Sequence, residues 1–389
     1  MHKPTRDGIA KRELELPKTE FQKIMEIAEE GKNIISLGPG EPDFTTPKHI
    51  INFTKKKLDQ GFTHYSPPEG RNELKELIAR KLKRENGIDI SPEGVVVTAG
   101  SQEALFLGLM VLVDPTEQVL VPDPGFLSYR PMVEVLDGVP VSLSMHENEG
   151  FQINPDRIKE LIEPGKTKVM IINSPSNPTG IVLKKKVLEE IAGIAIENDL
   201  VIFSDEAYEK FVYDGAKHVS IGSLNGMHNY VLTFHSFSKT YAMPGFRIGY
   251  AAGPLDIVKA MVRCHLYTSV CTSTISQFAA IQALRGPQNA IEKMRREYDR
   301  RRKMLIKRLN DIPKISCTKP EGAFYAFPNI TQLKKNSLEV SHLFLKKAKV
   351  LVVPGTEFGK CGEGYIRLSY VTAYGKIEEA LNRIEKIVK

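Results

Sequence analysis

Lys239 ends the run His235-Ser236-Phe237-Ser238-Lys239, and Arg247 follows eight residues later. The apolar stretch Val231-Leu232-Thr233-Phe234 comes just before, so the lysine is delivered to the end of a strand among small hydroxyl residues. An amine placed this way is suited to hold an aldehyde cofactor through an imine, with Ser236 and Arg247 supplying donors to its phosphate. The lysine alone also has a plainer reading, because charged residues at strand ends mostly face water.

Further segments repeat the pattern of an apolar run ending in polar residues. Val95-Val96-Val97-Thr98 leads to Gly100-Ser101-Gln102, where a helix opening at Ser101 would offer orphan amides and a positive dipole end to a phosphate. Serine is equally a routine N-cap. After Val119-Leu120-Val121, Phe126 could stack on a flat heterocycle or simply join the core. Asn177 lies between Pro175 and Pro178, which fix its amide as a directed donor, for instance to a phenolate oxygen; an ordinary Asx-turn is the alternative.

Asp205 ends the strand Val201-Ile202-Phe203-Ser204. A carboxylate there is costly to bury unless a cation pairs with it, and a protonated pyridine nitrogen would do so and turn the ring into an electron sink. Tyr208 could donate to the ring oxygen from the same side. Arg367, inside the apolar run Tyr365 to Tyr370, suits bidentate capture of a carboxylate, or an ion pair with an internal acid. The loop Gly38-Pro39-Gly40-Glu41-Pro42 bends so that its backbone can lie against a ligand, unless it is only an inter-domain turn.

The elements that would position these residues follow from the pattern. Continuous apolar strands alternate with helix-length segments from 46 to about 290, which indicates an α/β fold with a mostly parallel sheet covered on both faces. Ligands collect at the carboxyl ends of such strands. The boundaries expected are a large domain over 46–288, a smaller α+β domain from 15–45 with 289–389, and an N-terminal arm over 1–14. An amphipathic helix is expected around Phe21, Ile24, Ile27 and Ala28, and a long one over about 288–310 whose arginines form a wet face opposite Met294, Tyr298, Leu305 and Leu309.

The chain has 389 residues with 54 Lys+Arg against 47 Asp+Glu, a net charge of +7 that forms no single basic run, so no nucleic-acid partner is expected. Its four cysteines show no CxxC pair or metal-type spacing with histidine; free thiols, no metal and a reducing, cytoplasmic compartment are expected. No run is long and apolar enough to suggest a membrane span.

Taken in order, Gly40, Tyr65, Gly100-Ser101-Gln102, Asn177-Pro178-Thr179-Gly180, Asp205 with Tyr208, Ser236 with Lys239 and Arg247, and Arg367 resemble the class I/II pyridoxal-phosphate aminotransferases of fold-type I, including archaeal aromatic and aspartate members. The resemblance covers nearly the whole chain. It implies a seven-stranded sheet in the large domain and pyridoxal 5′-phosphate as cofactor, with Lys239 as the residue that condenses with its aldehyde. It makes Asp205 the partner of the ring nitrogen, Asn177 and Tyr208 the donors to the ring oxygen, and Phe126 the stacking ring. Gly100, Ser101, Gln102, Ser236 and Arg247 would hold the phosphate, and Tyr65 would reach the phosphate of a second subunit in a homodimer with shared sites. Arg367 and Gly40 would surround the substrate carboxylate.

The implied activity is ping-pong transfer of an amino group from an L-amino acid to a 2-oxo acid. One branch of the family supplies a second arginine for dicarboxylates where this chain has Tyr267-Thr268-Ser269. Aromatic and acidic donors with 2-oxoglutarate as acceptor are therefore expected, in a pocket of hydroxyls and rings to which Lys18 could add a cation. The rival within the fold is a carbon-sulfur β-lyase. The rival of another class is a non-catalytic cofactor-binding regulatory module, for which the roughly 20 residues before the first helix are short of a helix-turn-helix.

Overall fold

A computed structural model describes Leu16 and residues 33–389. The arm, the helix expected around Phe21 to Ala28, and Lys18 fall outside the described residues.

The strands, in chain order, are β1 (Ile35–Ser36), β2 (Val95–Thr98), β3 (Gln118–Asp123), β4 (Val139–Ser144), β5 (Thr167–Asn173), β6 (Val201–Asp205), β7 (Val231–Ser236), β8 (Gly249–Ala252), β9 (Tyr325–Ala326), β10 (Val350–Leu351), β11 (Val353–Pro354) and β12 (Ile366–Ser369). Seven of them form one sheet in the order β2-β8-β7-β6-β5-β3-β4. The pairs β3·β4, β3·β5, β5·β6 and β6·β7 are parallel, while β8 runs antiparallel to both β2 and β7. The expected seven-stranded, mostly parallel sheet is therefore present.

Two of its strands left little trace in the apolar pattern. β4 reads Val-Pro-Val-Ser-Leu-Ser and lies at the sheet edge, where a proline costs no ladder bond and one side faces water. β8 is Gly-Tyr-Ala-Ala, whose small residues allow close approach: a Cβ on Gly249 would lie 2.4 Å from the Ser101 amide nitrogen.

The inner strands are apolar throughout because helices cover both faces. Leu105, Leu109, Phe203 and Phe234 are buried in one layer, and Met170, Ile172, Ile191 and Ile202 in the other. Gly108 sets the distance of the helix Ser101–Leu112, since a Cβ there would meet the Phe203 ring at 2.8 Å.

Beyond residue 288 the chain builds a three-stranded sheet, β11-β12-β9, and β10 pairs in parallel with β1. The helix Asn289–Asp311 spans nearly the predicted range, but two of its arginines are not on a wet face. Arg301 and Arg302 are 5% and 0% exposed. A stripe of period 3.6 through Met294, Tyr298, Leu305 and Leu309 has to pass through 301 and 302 as well. Arg302 is held by Asp299, Asp214 and the Pro320 carbonyl, and Arg301 by Glu297, Asp43 and the Val371 carbonyl.

Candidate active site

Parallel register sets the site. β5, β6 and β7 end side by side, so Asn173 lies opposite Asp205 and Asp205 opposite Phe234. Chain reversals at these ends leave a cleft of about 250 Å³. It is lined by Gly40, Ser101, Gln102, Phe126, Asn177, Asp205, Tyr208, Ser236, Lys239, Arg247 and Arg367, all of which the sequence had singled out. Gly100 lies immediately behind. Tyr65 stands away from this cleft, 86% exposed.

Lys239 rides on the short helix Phe237–Thr240, whose first turn is capped by the Ser236 hydroxyl accepting from the Ser238 amide at 3.2 Å. Its Nζ donates to the Gly40 carbonyl at 2.5 Å. Burial lowers the lysine to about 8, aided by the cations Arg367 and Arg247 and opposed by Glu41 and Asp205. It can therefore lose its proton near neutrality.

Asp205 is 6% exposed, and burial raises its pKa. Two donors work the other way: the Tyr129 hydroxyl reaches Oδ2 at 2.6 Å and the Ala207 amide reaches Oδ1 at 3.2 Å.

Asn177 is fixed at both ends, its backbone amide on Asn173 Oδ1 at 2.7 Å and its own Oδ1 accepting from Arg367 Nη1 at 3.0 Å. Its amide nitrogen is the end left for a ligand. Arg367 comes from β12, donates through Nη2 to the Gly38 carbonyl at 2.6 Å, and lies between the rings of Tyr325 (4.5 Å) and Phe358 (4.8 Å). Its Nε is buried with no partner, and among the described residues no carboxylate pairs with it, so the internal ion pair weighed for this arginine is not present.

At the other end of the cleft Gly100 has φ +87 and caps the helix Ser101–Leu112, so Ser101 occupies the first helical position and is not the N-cap. A Cβ on Gly100 would sit 2.6 Å from Arg247 Nη2. The glycine thus lets a guanidinium close over a helix N-terminus, an anion cradle assembled from amides, hydroxyls and one fixed cation.

Two contacting residues had no sequence signal of their own. Tyr325 lines the cleft, shares a 2.9 Å hydroxyl contact with Tyr208 and would meet a Cβ on Gly40 at 2.2 Å. Tyr129 follows Phe126 by three positions at the opening of the helix Tyr129–Glu134, and aromatic residues at that spacing are common in cores. Behind Asp205 lies a buried group, Glu206, Glu209 and His235, whose donor atoms fall within 4.8 Å of one another. Lys81 pairs with Glu209, and His218 and Ser220 bond Glu206, so both carboxylates have partners within the protein. Cys264, Cys271, Cys317 and Cys361 are all unpaired, and among the described residues no helix is long and apolar enough to cross a membrane.

A family model for class I and II aminotransferases matches residues 32–384. An aspartate aminotransferase of Pyrococcus abyssi is 49% identical over 374 residues, covering 95% of this chain and 96% of the relative. An aromatic-amino-acid aminotransferase 2 of Thermococcus litoralis is 48% identical over 374 residues, with the same shares covered. The solved aspartate aminotransferase from Thermus thermophilus with maleate matches with a TM-score of 0.93 at 36% identity, covering 98% of this chain and 100% of that one. The cleft, the sheet and these matches agree: the chain belongs to the class I and II aminotransferases, enzymes that transfer amino groups with pyridoxal phosphate.

Proposed function

We propose that this aminotransferase uses pyridoxal 5′-phosphate held between Lys239 and Asp205, and that it moves the amino group of aromatic or acidic L-amino acids to 2-oxoglutarate. The observation that carries the reading is the convergence on one cleft of a low-pKa amine, a buried acid, an anion cradle and an arginine that no carboxylate among the described residues pairs with.

The residues present fit this cofactor. Gly100 leaves its Cβ place to the Arg247 guanidinium, which suits a phosphate, and the buried Asp205 at the strand end suits a cationic ring nitrogen. When bound, pyridoxal 5′-phosphate supplies an aldehyde that takes up the amino group and a ring that accepts electron density from the substrate Cα.

The protein does the rest. Ser101, Gln102, Ser236 and Arg247 would anchor the phosphate, Phe126 would lie against the ring, and Asn177 and Tyr208 would donate to the ring oxygen. Arg367 receives the substrate carboxylate, with Gly40 beside it, and holds Cα near Lys239. The Lys239 amine, once free, would take the proton from the substrate Cα and give it to the carbon that carried the cofactor's aldehyde, which its lowered pKa permits near neutrality.

The substrate class is supported by relatives named for aspartate and for aromatic amino acids. Arg367 lies against Tyr325 and Phe358, so the carboxylate site has aromatic walls. A survey of half-reactions with glutamate, aspartate, phenylalanine, tyrosine, alanine and leucine tests it. Turnover of the first four is expected, and strict preference for alanine or leucine would overturn the reading.

A homodimer with shared sites completes the proposal. Tyr65 and Tyr267 are 86% and 88% exposed, with Leu266 and Val270 each 43% exposed nearby in the chain. The segment carrying Tyr65 is tied to the start of the helix Thr274–Arg285 by Ser66 and Thr274, whose hydroxyls are 2.7 Å apart. Such aromatic exposure suits a covered surface from which Tyr65 reaches a second subunit's phosphate. The pairing of β1 with β10 supports a small domain of 15–45 with 289–389 beside a large domain of 46–288. Free thiols suit a cytoplasmic setting.

A further inference from the structure

We propose that Tyr129 is a positioning residue of this site: its phenol fixes the Asp205 carboxylate while its ring braces Phe126, so that one side chain sets both the acid and the stacking ring. The proposal rests on the reading of Asp205 and Phe126 given above.

Tyr129 and Asp205 come from segments 76 positions apart and meet in the interior, 0% and 6% exposed. The phenol oxygen lies 2.6 Å from Asp205 Oδ2, and the Ala207 amide holds Oδ1 at 3.2 Å. With one donor on each oxygen the carboxylate cannot rotate, and its remaining lone pairs are left for the cleft that Asp205 lines.

The same residue opens the helix Tyr129–Glu134, and its backbone amide bonds the Phe126 carbonyl at 3.0 Å. The two rings meet edge to face, centroids 5.5 Å apart at 79°. That T-shaped contact braces the Phe126 ring against tilting. The turn leading into this helix therefore couples the Phe126 ring to the Asp205 carboxylate.

Direction of the hydrogen bond follows from chemistry. Burial and the neighbouring carboxylate raise the phenol well above its ordinary range, so it remains protonated and donates. The acid must accept, which favours its charged form against the burial that raises its pKa. The other titratable groups coupled to it are Glu206, His235, Tyr208 and Lys239, of which His235 also favours the charge and Glu206 opposes it.

Tyr129→Phe keeps the ring and removes only the donor. In the cofactor-free chain the stability difference between wild type and Tyr129→Phe should depend on pH. The folded pKa of Asp205 lies above its unfolded value and rises further without the phenol. A carboxyl raised in this way contributes stability below its unfolded pKa and loses it as pH rises through the folded one. The gap should thus open with rising pH and level off, at tenfold in the unfolding constant for each unit of added shift. A gap that is the same at every pH means packing alone and overturns the proposal.

In the loaded enzyme kcat should fall roughly tenfold, the loss of about one charge-assisted hydrogen bond. KM for the amino acid should be unchanged and the acid limb of the pH profile should move upward. Tyr129→Phe added to Asp205→Asn should cost no more than Asp205→Asn alone. An unmoved acid limb with kcat within about twofold of wild type sinks the role of Tyr129 and leaves the function standing. Full turnover by Asp205→Asn removes both.

Discussion

Arg367 and Asn177, 190 positions apart in the chain, meet side chain to side chain: the guanidinium Nη1 donates to the amide oxygen at 3.0 Å. A residue assigned to the substrate carboxylate is thereby locked to one assigned to the cofactor ring oxygen. A shift in either is felt by the other, so on that assignment carboxylate recognition and ring placement form a single geometric unit.

Arg367→Lys tests that unit. An ammonium is a point charge that cannot reproduce the planar fork holding Asn177 and Gly38 together. Loss of charge-assisted bonds of roughly 1.5–3 kcal/mol should raise KM for the amino acid by about 10- to 100-fold. Steady-state kinetics check this, and an unchanged KM would contradict the carboxylate assignment.

Gly100→Ala acts at the other end. The glycine has φ +87 and ψ 162, a region that L side chains avoid, and its missing Cβ leaves room for Arg247. Strain of about 1–3 kcal/mol, with the guanidinium pushed aside, should weaken pyridoxal 5′-phosphate binding roughly tenfold or more. Pyridoxal without the phosphate should bind about equally to both forms. Fluorescence titration of the cofactor-free proteins separates the two.

Capture of the cofactor should follow the charge on Lys239. Only the neutral amine attacks an aldehyde, and burial lowers this lysine to about 8. Below that value each unit of pH lost should slow capture about tenfold, and above it the rate should level off. Stopped-flow mixing of cofactor-free protein with pyridoxal 5′-phosphate reads this directly. A midpoint near that of a free lysine would contradict the account of the site.

Arg302 should carry stability and Arg300 should not, although they are two residues apart on one helix. Arg302 is fully buried on Asp299, Asp214 and the Pro320 carbonyl. Arg302→Leu should cost about 3–5 kcal/mol, a buried charge pair broken on one side, softened because Lys319 and Lys303 also reach those acids. Arg300→Ala should leave the melting temperature unchanged. Thermal unfolding of both variants checks the contrast.

The site was legible because its residues end apolar runs: Asn173, Asp205 and Ser236 sit where a buried strand meets the cleft, and Thr98 ends the strand that leads to Gly100 and Ser101. Arg367 stood out as a cation inside an apolar strand. Tyr129 and Tyr325 did not, since a tyrosine in the interior looks like any core aromatic until its hydroxyl partner is known. The direction of β8 was hidden because pairing in either sense suits Gly-Tyr-Ala-Ala. Arg301 and Arg302 depart from the wet face expected of this helix's arginines because the helical period puts both on the inner stripe, where each finds carboxylate partners.

One amine, Lys239, should carry the cofactor opposite Asp205. Borohydride treatment of the protein loaded with pyridoxal 5′-phosphate, followed by peptide mass mapping, tests it. The reduced cofactor should appear on the peptide containing Lys239 and nowhere else, and should be absent when an amino acid has first discharged the site. A label on another lysine, or none, would contradict it.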